Sequence, residues 1–230
     1  VAHDYLSVLR EAVRDLQQPE LAAQPLEHAA FSLRTQMQTY TARSDQTGMM
    51  FLHAFACLMP GLAGRHAQAE TAGLAAQALF SAGRGMYMQP FCVFFTATAS
   101  IALAQQDENL HTERRAQVAA AVVRLERWAQ HNAELAPLWR LLRAGQALLD
   151  ANRDHARAEL DQAHQAVEPQ DNLFMRGLVH WQRGLLLAAL AEPGAKVERA
   201  DARTAFLRWG ARALAQALAE PVPVPVPMPS

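Results

Sequence analysis

An all-α fold is what this chain predicts, on three features. Alanine, leucine, glutamine and arginine, all good helix formers, dominate the composition, while β-branched and aromatic residues are sparse. Short clusters of glycine, proline and polar residues cut the sequence into segments of helix length as far as Glu220. Within those segments apolar residues recur at three- and four-residue spacing, and no alternating strand pattern competes. At 230 residues and 51% hydrophobic, the chain is long enough to bury a substantial core as one elongated domain or two abutting ones.

The first helix is predicted over residues 4–17, stopped by Pro19, and the second over 25–43 with Pro25 in its first turn. A polar cluster at 44–48 precedes a third, 49–59, which Pro60 and Gly61 end. The segment 66–81 carries Ala69, Gly73, Ala76 and Phe80 on one face and breaks at Gly83 and Gly85; a weak division of the domain is placed at 82–90. Helix five occupies 88–106, and after a polar turn at 107–109 a long helix over 110–131 sets Val118, Val122, Leu125 and Trp128 or Ala129 at helical spacing. Pro137 opens the next, 138–150, paired across Asn152 with 153–167, which Pro169 closes. Glu192-Pro193-Gly194 separates the last two, 172–191 and 197–219. That last helix reads as one continuous rod, with a stripe of Val197, Ala200, Thr204, Leu207, Ala211, Leu214 and Leu218 and a second contact surface at Phe206, Trp209 and Ala213. The tail, 221–230, alternates proline with valine or methionine and is expected as a polyproline II linker or a disordered terminus.

Paired helices with periods mostly in the thirties and forties belong to helical-repeat arrays. Two segments resemble the second helix of tetratricopeptide repeats: Ala69, Gly73 and Ala76 after Gly64, and Ala156, Leu160 and Ala163 after Asn152. Small side chains there let neighbouring helices approach until larger residues interlock. The expected architecture is a tetratricopeptide-like right-handed stack of antiparallel helix pairs, an α-solenoid, over residues 1–220; an unrelated alanine-rich bundle is the alternative.

Composition also excludes functions. A net charge of −1 provides no field to attract nucleic acid or an anionic membrane. Of 21 basic residues only Lys196 is lysine, so a phosphate-binding GxxxxGK[ST] loop or a kinase β3 lysine has no place. Cys57 and Cys92 lie in apolar runs, a usage that fits buried reduced thiols of a cytoplasmic protein. No signal peptide opens the chain, the longest apolar stretch (184–191) is too short to span a bilayer, and the absence of an initiating methionine points to a piece of a longer protein.

Nine histidines prompt a search for metal ligands. His66 with Glu70 and His155 with Glu159 stand one helical turn apart, a spacing that surface pairing explains, and no HExxH, CxxC or Glu-x-x-His repeat at usable spacing supplies the three or four convergent ligands of a zinc site. His180 reads as a core histidine whose ring finds a hydrogen-bond partner. No GxSxG elbow or cysteine–histidine signature occurs. Neither a catalytic group nor a metal or cofactor is therefore assigned, and an interaction protein is favoured over an enzyme. The chemically unusual stretch is 86–95, where Met86, Tyr87, Met88 and Phe91 form either an adaptable groove for a peptide or neighbouring domain, flanked by Arg84, Arg114 and Arg115, or a plug into the core.

Three places carry a more specific likeness. They are the aromatic helix entry Phe94-Phe95-Thr96-Ala97-Thr98-Ala99-Ser100-Ile101-Ala102-Leu103-Ala104, the segment Arg127-Trp128-Ala129-Gln130-His131-Asn132-Ala133-Glu134, and the closing Phe206-Leu207-Arg208-Trp209-Gly210-Ala211-Arg212-Ala213. In their order they resemble the helical-repeat region of large bacterial signalling proteins. Those proteins join a serine/threonine kinase-like domain, an ATPase module, this region, a GAF domain and often a histidine kinase. A glycine inside a helix costs about 1 kcal/mol relative to alanine, and a close helix crossing beside Trp209 is the expected reason for Gly210. The resemblance implies a non-catalytic scaffold that relays signals between neighbouring domains. A free-standing adaptor and a ligand-sensing repeat domain of a transcriptional activator are the rival readings.

Overall fold

The computed structural model describes residues 2–18, 26–28, 31–107 and 111–219, and it is all-α apart from one two-residue hairpin. Eleven α-helices occupy the described residues: α1 (Ala2–Gln17), α2 (Leu33–Ala42), α3 (Gln46–Leu62), α4 (His66–Ala78), α5 (Met88–Ala104), α6 (His111–Ala129), α7 (Ala136–Leu149), α8 (Arg153–Val167), α9 (Leu173–Ala189), α10 (Ala195–Trp209) and α11 (Arg212–Ala217). The Pro19 stop, the Pro25 start and the tail at 221–230 lie outside the described residues.

From α3 onward each helix packs on the next, and α3, α5, α7 and α9 also touch in succession. The pairs α3/α4, α7/α8 and α9/α10 are the tightest, whereas the backbones of α8 and α9 approach each other at fewer places than those of the other successive pairs from α3 to α10. A core running from Ala54 to Ala215 threads all of them, and a second cluster around Tyr40, Phe51, Leu52 and Phe55 joins α1, α2 and the hairpin to α3. The two clusters meet within α3, with Leu58 and Met88 packed against both. At the other end of the chain α11 lies against α1, which also touches α3.

The helix starts follow side-chain chemistry. Asn152 accepts the His155 amide at 3.1 Å and Asn172 the Met175 amide at 3.1 Å, each satisfying a donor that the helix itself leaves open. Asp45 does the same for Gly48 at 2.8 Å, so α3 starts at Gln46, ahead of the expected residue 49. Residues 25–43 do not form one helix. Glu27 pairs with Ser32 and His28 with Phe31 in an antiparallel hairpin, and Ser32, extended and accepting the Thr35 amide, starts α2 only at Leu33. Pro60 does not end α3 either; it sits in the last turn, where its missing N–H removes a single bond and the helix runs on to Leu62.

Five inter-helix turns share one device. Ser44, Gly64, Ala151, Ala191 and Gly210 all have positive φ, and in each turn the next residue's N–H returns to a carbonyl five positions back, at 2.8–3.0 Å. This is the Schellman closure, which bonds the otherwise open carbonyls at a helix end. Gly210 is its clearest case and corrects the reading of residues 197–219 as one rod: φ is +94°, α10 ends at Trp209, and α11 begins after it. A side chain at Gly210 would meet nothing within 4 Å, so backbone conformation, and not a close helix crossing, demands glycine there. Ala151 occupies the same conformation at φ +55° without that freedom. Ala151→Gly is expected to stabilise the protein by about 0.5–1 kcal/mol, while Ala158→Gly on the exposed face of α8 loses about 1 kcal/mol; urea denaturation of the two variants reads this opposite sign directly.

The repeat-packing residues sit where close approach is needed. Ala69, Ala76, Ala156, Leu160 and Ala163 are fully buried, and Gly73 faces α5 so tightly that a Cβ would stand 1.9 Å from Thr96 Oγ1. Trp128 packs on the edge of the core. Trp209 is instead 41% exposed, and within α10 the expected stripe is out of phase, with Val197 and Leu207 facing solvent and Glu198, Ala202 and Ala205 buried, while Phe206 and, in α11, Ala213 and Leu214 are buried as expected.

Candidate functional site

An aromatic row links three helices, α5, α9 and α10. Tyr87, just before α5, stands 5.2 Å from Phe91 between ring centroids; Phe91 is 5.7 Å from Phe174 at the start of α9, and Phe174 is 4.7 Å from Trp209 at the end of α10. Such tilted ring pairs add about 0.5–1.5 kcal/mol each beyond area burial. In the middle of the row Phe91 is buried, 3% exposed, and Phe174 half-buried, while both ends are open, Tyr87 at 57% and Trp209 at 41%. Beside Trp209 a depression of about 540 Å³ is lined by Glu134, Gln170, Asp171, Asn172 and Leu173. The Tyr87 phenol is pushed above its ordinary value, first by partial burial and then by the Glu134 carboxylate, so it remains a neutral hydrogen-bonding group.

The residues marked from sequence separate in the fold. Of Met86, Tyr87, Met88 and Phe91, only Tyr87 presents a largely open side chain; Met86 and Met88 pack against the cluster shared by α1–α3, and residues 91–95 are core. Arg114 does not flank this row: its guanidinium grips Glu70 of α4 in a two-pronged bond at 3.1 and 3.0 Å, and Glu70 also accepts the Ser100 hydroxyl at 2.7 Å. Arg115 pairs with Asp150 at the end of α7. Arg84 lies in the turn after a short 3₁₀ segment, Phe80–Gly83. The acids Glu134 and Asp171 line the depression beside Trp209.

Both histidine–glutamate pairs also differ from simple surface pairing. Glu70 is turned to Arg114, and burial lowers the pKa of His66, which keeps its ring neutral. Glu159 does meet His155 at 3.7 Å, but it is 2% exposed and anchors Arg140 at 2.9 Å and Arg143 at 3.0 Å, which in turn lie against the Trp139 ring. Glu70 thus ties α4 to α6, and Glu159 ties α8 to its pair partner α7. Cys57 and Cys92 are buried free thiols in contact with each other's surroundings: Cys57 Sγ lies 3.7 Å from the Cys92 carbonyl, and the Cys57 thiol together with burial drives the Cys92 pKa far upward.

His180 is a core histidine, 6% exposed, with Nδ1 2.8 Å from Glu198 Oε2. Burial opposes ionisation of Glu198, but the His180 hydrogen bond and the Arg183 guanidinium outweigh it and hold the carboxyl below its ordinary range. An ionised carboxylate only accepts, so His180 Nδ1 carries the proton. Arg183 also reaches Asp161 at 2.8 Å and the Leu160 carbonyl at 3.2 Å, so one polar network joins α8, α9 and α10. Sequence reading missed this network because its members are dispersed over three helices; the one available signal was a glutamate, Glu198, in phase with Ala202 and Ala205. Among the described residues no helix is long and apolar enough to cross a membrane. Comparison with protein families, characterised proteins and solved structures finds no match.

Proposed function

We propose that this protein is a non-catalytic helical scaffold of tetratricopeptide-like stacking that binds a protein or peptide segment along the Tyr87–Phe91–Phe174–Trp209 row. The observation that carries the reading is the row itself, which links α5, α9 and α10, rests on the buried Phe91 ring and is open at both ends. Exposed aromatics on a packed base act as anchors, and Glu134 and Asp171 beside Trp209 suit a partner that brings arginine or lysine next to an apolar residue. Burial of residues 91–95 in the core favours surface recognition over an enclosed small-ligand chamber. The succession of contacting pairs supports the stacked arrangement, and the likeness at residues 94–104, 127–134 and 206–213 supports a place within a bacterial multidomain ATPase or kinase regulator, with a free-standing cytoplasmic adaptor as the second reading.

The test is a photo-crosslinking amino acid placed singly at positions 87, 209 and, as control, 123, where Val123 is exposed on α6. Positions 87 and 209 are expected to capture the same polypeptide, or the same neighbouring domain of the parent chain. Position 123 should not, and unlabelled wild-type chain should compete while the Tyr87→Ala/Trp209→Ala chain does not. Capture from 87 and 209 no stronger than from 123 would overturn the proposal.

A further inference from the structure

His164 and Glu168 lie one turn apart at the end of α8, and the fold brings His180 of α9 to them. One ligand atom from each of the three falls within 4.8 Å of the others, and the two imidazole rings stand edge to face at 5.5 Å between centroids. We propose that His164, Glu168 and His180 bind a divalent first-row transition-metal ion, zinc by the donor set, as a clasp between α8 and α9.

Four observations converge on this site. Two imidazoles and one carboxylate form a set that zinc accepts, with a fourth position left to solvent. The Glu198 carboxylate fixes the His180 tautomer by holding Nδ1 at 2.8 Å, which leaves Nε2 as the nitrogen with a free lone pair; a carboxylate behind a ligating histidine is the usual support of such a ligand. That carboxylate is itself held by Arg183, which Asp161 and the Leu160 carbonyl brace, so the supporting shell is built from three helices. His164 Nδ1 is buried without a hydrogen-bond partner, although the other edge of the ring is accessible. Glu168 divides its oxygens: Oε2 is 3.5 Å from Arg176, and Oε1 faces His164 Nε2 at 3.9 Å, too far for a hydrogen bond between them. A metal ion between them draws both groups in by less than a bond length.

The location gives the ion a role. The backbones of α8 and α9 approach each other at fewer places than those of the other successive pairs from α3 to α10, and a metal bonded to one helix on each side would close that junction.

The tag-free chain, freed of metal with a chelator and titrated with zinc sulfate, is expected to bind one zinc ion per chain with a rise in melting temperature. Cobalt in its place is expected to give the visible absorption of a low-coordinate site. His164→Gln and Glu168→Gln, at partly exposed side chains, should each weaken zinc binding at least about tenfold, with metal-free melting temperature and helix content unchanged. Absence of zinc binding at micromolar concentration, or an affinity unchanged in the His164→Gln/Glu168→Gln double variant, would overturn the site; the latter outcome would move the metal to the cysteines or to other histidines.

Discussion

Gly73→Ala is expected to destabilise the protein by about 3 kcal/mol, lowering the melting temperature of a chain this size by roughly 6–12 °C. The sign is decided by two opposed effects. Gly73 lies inside α4, where alanine is the better helix former by about 1 kcal/mol. Against this, the new methyl would stand 1.9 Å from Thr96 Oγ1, 2.9 Å from Cys57 Sγ and 3.0 Å from Thr96 Cβ. Thr96 cannot swing aside freely, because its hydroxyl donates to the Cys92 carbonyl at 2.7 Å and its branched Cβ is stiff. Sterics therefore win. Thr96→Ala removes the closest atom, so the double variant Gly73→Ala/Thr96→Ala should regain at least about 1 kcal/mol over additivity. Denaturant titration of the four proteins measures this coupling, and simple additivity would show that α4 and α5 do not meet at these residues.

Glu198→Ala is expected to cost about 1–3 kcal/mol, because it leaves the buried His180 Nδ1–H without its acceptor and takes from Arg183 one of two carboxylate partners, Asp161 remaining at 2.8 Å. The wild-type protein should also carry a pH signature of this carboxylate. Its pKa is lower folded than unfolded, so its contribution is fully present above the ordinary glutamate range near 4.5 and is lost as pH falls through the lower, folded value. Stability measured from pH 7 down to pH 3 should thus fall in wild type below about 4.5, and a Glu198→Gln variant should show a smaller fall over that interval. Equal slopes in the two proteins would mean that Glu198 does not ionise differently in the folded state.

The helical rhythm was readable from the sequence wherever a local rule governs it. Asn152 and Asn172 announce helix starts, and Ala69, Gly73, Ala76, Ala156, Leu160 and Ala163 announce close packing, because each acts within one or two turns of chain. The failures share the opposite character. The face of α10 was misjudged because Glu198, a charged residue, is buried by partners fifteen and eighteen positions away, while Val197 and Leu207 face solvent. Glu70 and Glu159 read as members of surface pairs with the histidines one turn away, and their arginine partners come from other helices. Gly210 was taken as a packing glycine when its backbone angle was the reason for it. The aromatic row was half visible: Tyr87 and Phe91 stand in one conspicuous stretch, but Phe174 and Trp209 join it only through the fold, and of the expected arginine flank Arg114 and Arg115 turn to Glu70 and Asp150.

The contact of α1 with both α3 and α11 changes what kind of object the row of helices is. An open stack of repeats has two loose ends, and its outermost units peel away before the middle does. Among the described residues the first and last helices touch, so releasing either end of this row means breaking the contact between α1 and α11 first.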